Sequence, residues 1–289
     1  MSKVRFYIAM AAAKTAHRLL RLCGRAATHT PGAVATKLCP DFLRYLQKPE
    51  TLICVTGTDG KTTVSNLLAT VLQNNGYTVT NNSYGSNICE GVVSALLTDA
   101  TFSGKPKKQV GVLEVDERSS LKVYKYLTPD ILICNNIMRD SLKRNAHTEF
   151  ICYILNKQLP SSTKVVLNAD DLICSGLFPN NKDRTYFGVS ADRPENGAAT
   201  DEALRDIVYC PKCGAKLETE YVRYNHIGRH HCPACGFASP KPDYDVTEIN
   251  REKGTFTVTH NGVDEEYKIV NDNIINIYNS CAVISVLHT

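Results

Sequence analysis

The sequence predicts an α/β protein: a mostly parallel sheet with a phosphate-binding loop and helices on both faces, an inserted four-cysteine ribbon and an N-terminal helical segment. Three observations carry this. From residue 51 onward, short apolar runs alternate with helix-like stretches. The turn Gly57-Thr-Asp-Gly-Lys-Thr-Thr63 joins the first apolar run to the first of these helices. Two Cys-x-x-Cys pairs stand at Cys210/Cys213 and Cys232/Cys235.

Taken in order, residues 3–47 read as helical, rich in Ala, Leu, Lys and Arg, with a break at Thr28-His-Thr-Pro-Gly32. Within them the basic, partly amphipathic stretch Lys14–Arg25 fits either a surface helix packed on one side or a helix resting on a membrane surface. Strand-like runs follow at Thr51–Thr56, Tyr77–Thr80, Gln109–Val115, Asp130–Asn135 and Thr163–Leu167, and helical stretches fill the gaps at Thr62–Asn74, Ile88–Leu97 and Thr148–Gln158. Short apolar strands alternating with helices specify a parallel sheet covered on both faces. Beyond the cysteine pairs, residues 254–270 predict a hairpin turning at Asn261-Gly262, a pair that tolerates positive φ. Asn273–His288 predicts a last apolar helix. The chain thus divides into an N-terminal helical segment (1–48), a nucleotide-binding domain (49–289) and a ribbon inserted in that domain (204–240).

With 289 residues the chain is long enough for one large or two smaller cores. Its 43% hydrophobic and 21% charged composition is that of a globular protein, and no long disordered tract is expected. A net charge of +4 is small for this length and predicts no nucleic-acid partner. Eight cysteines outside the two pairs (Cys23, Cys39, Cys54, Cys89, Cys134, Cys152, Cys174, Cys281) fall mostly in apolar runs, where a free thiol behaves as a small hydrophobe. There is no secretory signal and no run of membrane-span length. A cytoplasmic protein with reduced thiols is expected, with at most peripheral proximity to a membrane.

The loop at residues 57–63 follows a strand and opens a helix, the context that phosphate binding requires. Gly57 and Gly60 let the backbone curl so that N–H groups face phosphate oxygens, and the helix N-terminus adds positive potential. Thr58, Asp59 and Thr63 complete the cradle. Lys61 would neutralise the β- and γ-phosphates of ATP, and the Thr62 hydroxyl would ligate Mg²⁺. The standard pattern has a glycine five positions before Gly60; Val55 stands there, so this is a shorter variant. Strand Gln109–Val115 ends in Glu114-Val-Asp-Glu117. A carboxylate at the C-terminal end of a parallel strand beside such a loop is placed to hold Mg²⁺, which selects Glu114. Asp116 and Glu117 fit equally well as solvated charges at a helix start. On the last helix, Asn276 and Asn279 lie three residues apart and share a face. Their amides suit an adenine edge, or simply a polar helix start.

Cys210-Pro-Lys-Cys213-Gly and Cys232-Pro-Ala-Cys235-Gly form two knuckles at the spacing of a tetrahedral, structural Zn²⁺ site. A histidine from His226, His230 or His231 displacing one cysteine is the weaker alternative. Around them Arg205, Lys212, Lys216, Arg223 and Arg229 stand against Asp206, Glu218 and Glu220, too thin an excess for a surface that tracks nucleic acid.

The loop resembles the Gly-Thr-Asn-Gly-Lys-Thr-Thr signature of the Mur ligases and folylpolyglutamate synthases. These enzymes phosphorylate a carboxylate with ATP and let an amine attack the acyl phosphate. Asp59 stands where that family usually has asparagine, and its role stays open. The resemblance assigns catalysis to Lys61 and Glu114, Mg²⁺ to Thr62 and Glu114, and adenine to Asn276 and Asn279. Asn168-Ala-Asp-Asp171 is similar to another family element. The segment from Asn136 through Arg139-Asp140 to Arg144 is similar to a third, although Ser141 and Lys143 depart from it, and the histidine metal ligand of the wider family is missing.

The loop combined with a four-thiolate ribbon is narrower, and resembles the ligase-like subunits (the MurT group) of lipid II isoglutaminyl synthases. The likeness runs over nearly the whole chain, including Gly24-Arg25, Thr30-Pro-Gly32, Lys37–Leu43, Gly85-Ser-Asn87, Gly91, Cys235-Gly-Phe237 and Pro240. It implies ATP-dependent activation of the D-glutamate α-carboxylate in the lipid II stem peptide. Ammonia from a GatD-like glutaminase partner would then give D-isoglutamine for peptidoglycan synthesis. Family members continue past the last helix into a third domain, so a chain ending at Thr289 is expected not to amidate alone. An amino-acid-joining ligase and a non-catalytic ATP-binding module, whose ribbon meets nucleic acid or protein, are the alternative readings.

Overall fold

The computed structural model describes residues 3–82, 86–139, 147–194 and 207–288. In chain order the elements are α1 (Lys3–Leu22), α2 (Thr30–Leu38), β1 (Thr51–Thr56), α3 (Lys61–Asn74), β2 (Val79–Asn81), α4 (Cys89–Thr98), β3 (Val110–Glu114), α5 (Ser120–Val123) and β4 (Ile131–Cys134). There follow α6 (Thr148–Gln158), β5 (Lys164–Asn168), α7 (Leu172–Ser175), β6 (Arg184–Val189), β7 (Glu218–Tyr224), β8 (Ile227–His231), β9 (Tyr244–Asn250), β10 (Thr255–His260), β11 (Val263–Lys268) and α8 (Ile274–Leu287). The alternation of strand and helix from residue 51 is as expected.

The N-terminal break is not where the sequence placed it. Gly24, with φ +68°, ends the first helix, and Pro31 lies inside the first turn of α2. A proline there fits, since its fixed φ suits the helix and its missing N–H is one that no helix start uses. Strands β6 and β9 were not foreseen at all. The turn at Asn261-Gly262 is as expected, with φ +51° and +78° joining β10 to β11.

The chain forms two compact units. The first comprises Met1–Thr56, Lys61–Leu132 and Ile154–Thr163. In it β1, β3 and β2 lie side by side and parallel, β3 in the middle. Every residue of β3 is buried, the signature of a strand covered on both faces. Helix α3 packs on these strands, and α4 on α2. At the N-terminus the Phe6 ring of α1 meets Phe42 at 4.9 Å and Tyr45 at 5.4 Å. Each such ring removed from water contributes about 1.5–3 kcal/mol.

The second unit comprises Gly57–Gly60, Ile133–Tyr153 and Lys164–Thr289. Here β5, β6 and β9 are parallel, and β9, β10 and β11 form an antiparallel meander at the edge. Helix α8 is apolar on most sides and is correspondingly buried against β5, β6 and β9 through residues such as Ile277, Cys281 and Ala282. The ribbon hairpin β7–β8 is a separate two-stranded sheet in the same unit.

Candidate nucleotide site and metal ribbon

The phosphate loop begins where β1 ends. Its first four residues, Gly57–Gly60, are fastened by two asparagines that follow β4. The Thr58 amide donates to the Asn136 carbonyl (2.9 Å) and the Asp59 amide to Asn136 Oδ1 (2.8 Å). The side-chain amides of Asn135 and Asn136 both donate to the Asp59 carbonyl at 3.3 Å. Thr58 Oγ1 exchanges hydrogen bonds with the Met138 backbone, accepting from its N–H (2.8 Å) and donating to its carbonyl (3.1 Å).

The amides of Thr58 and Asp59 are therefore committed to scaffolding rather than to a phosphate. The donors left for an anion are those that open α3, since the first turn of a helix has no intrahelical partners for its N–H groups. The Asp59 side chain is exposed, with its main chain held from below.

Gly60 carries φ +80°, and a Cβ there would come within 2.3 Å of Asn279 Oδ1. A side chain there would have to push aside the Asn279 and Asn135 amides, from a backbone conformation that favours glycine. Asn279 is buried and accepts from Asn135 Nδ2 at 3.5 Å, while Asn276, on the same face of α8, is half-buried. The structure brings Asn279 to the loop. Asn135 Oδ1 is buried with no hydrogen-bond partner among the described residues. Neither Asn135 nor Asn136 was selected from the sequence. A doubled asparagine directly after a buried strand was the signal that could have found them.

From Lys61 the chain runs on into the first unit. There the register of β1 and β3 sets Glu114 opposite Val55, the last strand position but one before the loop. Thr62 Oγ1 donates to Glu114 Oε2 at 2.8 Å, and Asn87 Nδ2 donates to the other oxygen at 2.9 Å. Asn82 clamps the Glu114 main chain, accepting from its N–H and donating to its carbonyl, both at 2.8 Å. Thr62 and Glu114, selected separately from sequence, thus meet as a pair of hard oxygen donors with fixed orientation. This donor set fits Mg²⁺, which takes one or two protein oxygens and completes its octahedron with water and phosphate. When bound, the ion would neutralise developing charge on the phosphates.

Glu117 is not the solvated charge that the sequence allowed. It is buried and meets Lys61 Nζ at 3.2 Å. Burial raises its pKa, while the Lys61 ammonium pulls it back down. Asp116 instead accepts the amides of Arg118 and Ser119 and shapes the turn. Of the segment from Asn136 to Arg144, Asp140 through Arg144, with Ser141 and Lys143, lie outside the described residues, as does Gly85.

The four cysteines Cys210, Cys213, Cys232 and Cys235 converge, all four sulfurs lying within 4.8 Å of one another. Cys210–Cys235 and Cys213–Cys232 are 3.7 and 3.5 Å apart. A tetrahedron with metal–sulfur bonds of about 2.3 Å has sulfurs about 3.8 Å apart, so the set fits one ion. The two knuckles are copies of each other. In each, the glycine amide returns to the first cysteine carbonyl (Gly214 to Cys210, 2.9 Å; Gly236 to Cys232, 3.0 Å) at φ near +75° and +71°. The first cysteine amide donates to the residue five positions on (Cys210 to Ala215, Cys232 to Phe237). Burial opposes ionisation of Cys232, but amides of Cys235 and Ala234 and the neighbouring thiols bring it down to about 7.

No histidine joins the cluster. His226 is buried and meets Asp171 Oδ1 at 3.1 Å, and His230 Nε2 faces the His226 carbonyl at 3.1 Å. His231 meets Glu218 at 2.9 Å.

Asn168-Ala-Asp-Asp171, at the end of β5, fixes this hairpin to its unit. Asp171 caps α7 through the amides of Ile173 and Cys174, accepts the Ile137 amide at 2.7 Å and holds His226. Asp170 accepts from the Tyr278 hydroxyl (2.7 Å) and the Val189 amide (2.9 Å) and pairs with Arg229 (3.2 Å). Its backbone carbonyl accepts the Gly228 amide. Burial pushes the Asp170 carboxyl upward in pKa, and Tyr278, the Val189 amide and Arg229 pull it back.

A phosphate loop ending β1, a strand-end glutamate bonded to its Thr62 and a capped Asn-x-Asp-Asp turn are features of an α/β nucleotide-binding domain. The chain matches the Mur ligase middle domain over residues 55–232, and it belongs to that family. Among curated proteins it is 32% identical over 288 residues to the "Lipid II isoglutaminyl synthase (glutamine-hydrolyzing) subunit MurT" of Staphylococcus aureus (strain COL), covering 98% of this chain and 63% of that one. The subunit of the same name from Streptococcus pneumoniae (strain ATCC BAA-255 / R6) is 30% identical, covering 96% and 61%. The chain thus spans about three-fifths of the length of these relatives. Among solved structures, a pseudomurein peptide ligase type C from Methanothermus fervidus superposes with a TM-score of 0.63 at 26% identity, covering 86% of this chain and 48% of that one. MurF ligase from Thermotoga maritima in complex with ADP shares the fold, with a TM-score of 0.55 at 16% identity, covering 91% and 49%.

Proposed function

We propose that this chain is the ATP-binding, carboxylate-activating part of a lipid II isoglutaminyl synthase. One observation carries the reading: Thr62 and Glu114 paired at 2.8 Å behind a Gly-Lys-Thr loop, in a chain 32% identical along 98% of its length to a MurT subunit. ATP is held by the loop and by the amides that open α3. Lys61 leaves Glu117 for the β- and γ-phosphates. Thr62 and Glu114 are the Mg²⁺ ligands, and Asn276 and Asn279 face the adenine.

The D-glutamate α-carboxylate of the lipid II stem peptide attacks the γ-phosphorus, and ADP departs. Ammonia from a GatD-like glutaminase then attacks the acyl carbon, inorganic phosphate leaves, and a proton is lost to give D-isoglutamine. The chain's own share is electrostatic and positional, and it supplies no covalent nucleophile. The four-cysteine ribbon is read as a structural Zn²⁺ site inserted at residues 204–240 within an ATP-binding domain of 49–289.

The test combines the chain, in the longest form its gene encodes, with a candidate glutaminase, lipid II, glutamine, ATP and Mg²⁺. The expected product is lipid II with one carboxylate converted to carboxamide, lost in Lys61→Ala. An amino acid joined in place of ammonia would instead make the chain a peptide ligase. ATP binding with neither product would reduce it to a binding module.

A further inference from the structure

An ordinary surface helix buries one apolar face and shows water a polar one. Helix α1 has two apolar faces. Phe6, Ala9, Met10 and Ala13 are buried in the first unit. On the opposite side Val4, Ile8, Ala11, Thr15, Leu19 and Leu22 fall within an arc of roughly 80° at about 100° per residue, and all six are exposed. The exposure is large for such residues: Ile8 57%, Leu19 57%, Leu22 83%. Nothing in the sequence obliges a 20-residue helix to spend four large aliphatic side chains on water.

The charges beside this stripe have one sign. Arg18 borders it and is exposed, Lys3 and Arg21 are exposed farther round the helix, and Arg25 follows just beyond it. No aspartate or glutamate occurs before Asp41. Lys14 does not belong to the set, because its Nζ turns inward to the carbonyls of Leu97 and Ala100. Of the acids elsewhere in the chain, Asp99 acts on Lys14 and His17 of this helix.

We propose that the outer face of α1 docks on an anionic phospholipid surface, its aliphatic stripe in the headgroup–acyl boundary and its arginines on the phosphates. A helix of this length reaches about 30 Å along such a surface. It lies on the bilayer rather than crossing it, since no helix among the described residues is long and apolar enough to span. The inference stands on α1 alone and does not depend on the ligase reading.

The test is co-sedimentation of the whole chain with phosphatidylcholine vesicles, with and without about one third phosphatidylglycerol, at low and high salt. Binding is expected to the anionic vesicles only and to weaken with salt. Arg18→Gln with Arg21→Gln should lower partitioning about 25-fold, at about fivefold per cation. Leu19→Asp with Leu22→Asp should abolish it while circular dichroism stays unchanged, because neither side chain is packed. Failure to sediment with anionic vesicles overturns the proposal. So does binding that falls with salt yet survives the two aspartates, which would be general cation adsorption. A wild-type dimer that the aspartates convert to monomer would assign the face to a second copy of the chain, and would equally overturn it.

Discussion

The ribbon and the phosphate loop are both glycine-punctuated turns in this chain, and they spend their polar groups in opposite ways. In the ribbon the cysteine sulfurs look inward. Four sulfurs face one point, each knuckle closes its own backbone bonds, and Asp170 and Asp171 tie the hairpin down. In the loop the main chain is braced by Asn135 and Asn136, but the chemistry-bearing side chains are only lent to neighbours: Lys61 to Glu117, Thr62 to Glu114. A closed site adds stability when its ligand binds. A lent one exchanges partners when its ligand arrives, so its occupant costs little rearrangement.

The sharpest break between the two regions is expected at the ribbon. Cys232→Ser should remove stoichiometric metal, and the hairpin with it, because apparent structural Zn²⁺ affinities of about 10–16 kcal/mol are folding free energy for the segment they close. Metal analysis with hydrogen exchange over β7–β8 checks this. A variant that keeps one metal per chain would show that another residue can serve as ligand.

Next comes the anchor. Asp171→Ala removes the α7 cap, the acceptor for the Ile137 amide and the His226 partner together. Leaving such buried donors unpaired costs about 1–3 kcal/mol each, so a loss near 3 kcal/mol is expected in denaturant unfolding. A change below about 0.5 kcal/mol would mean that water or another side chain replaces the carboxylate.

At the loop, Lys61→Ala should weaken ATP binding by about 10- to 100-fold, the worth of a charged hydrogen bond to phosphate, and should also lower thermal stability, because buried Glu117 loses its partner. Equal affinity for the two proteins would remove Lys61 from the site.

The smallest effect is at Glu117. Burial holds its folded-state pKa above the ordinary 4.5, so the folded chain keeps that proton to higher pH than the unfolded one. Stability from this group is complete below that ordinary value and falls as pH rises through the folded pKa. Glu117→Gln should therefore melt a few degrees higher at neutral pH, with the gap closing toward pH 4. A variant that melts lower at neutral pH would show that the Lys61 pair outweighs the burial.

The sequence was legible where short-range pattern decides. The glycine–lysine–threonine turn, the cysteine spacing, the Asn-Gly hairpin and the buried strands β1 and β3 all declare themselves within a few residues. It was silent where distant parts meet. Glu117 looked like any helix-start charge, because its partner Lys61 is 56 residues away and only the fold buries both. The doubled Asn135-Asn136 after a buried strand marks the spot, but nothing local says that it braces a loop some 76 residues upstream. The turn at Pro31 was misplaced because proline signals both a helix stop and a helix start, and packing chooses between them. Strands β6 and β9 were missed because their half-polar sequences, Arg-Thr-Tyr-Phe-Gly-Val and Tyr-Asp-Val-Thr-Glu-Ile-Asn, lack the apolar run of an inner strand.

If residues 57–63 with Glu114 hold a magnesium nucleotide, calorimetric titration of the metal-loaded chain with ATP will show it. The expected result is saturable binding that requires Mg²⁺, weakens about 10- to 100-fold in Lys61→Ala, and loses its magnesium dependence in Glu114→Gln. ATP binding that is indifferent to Mg²⁺ and to both substitutions, or no binding at all, would contradict it.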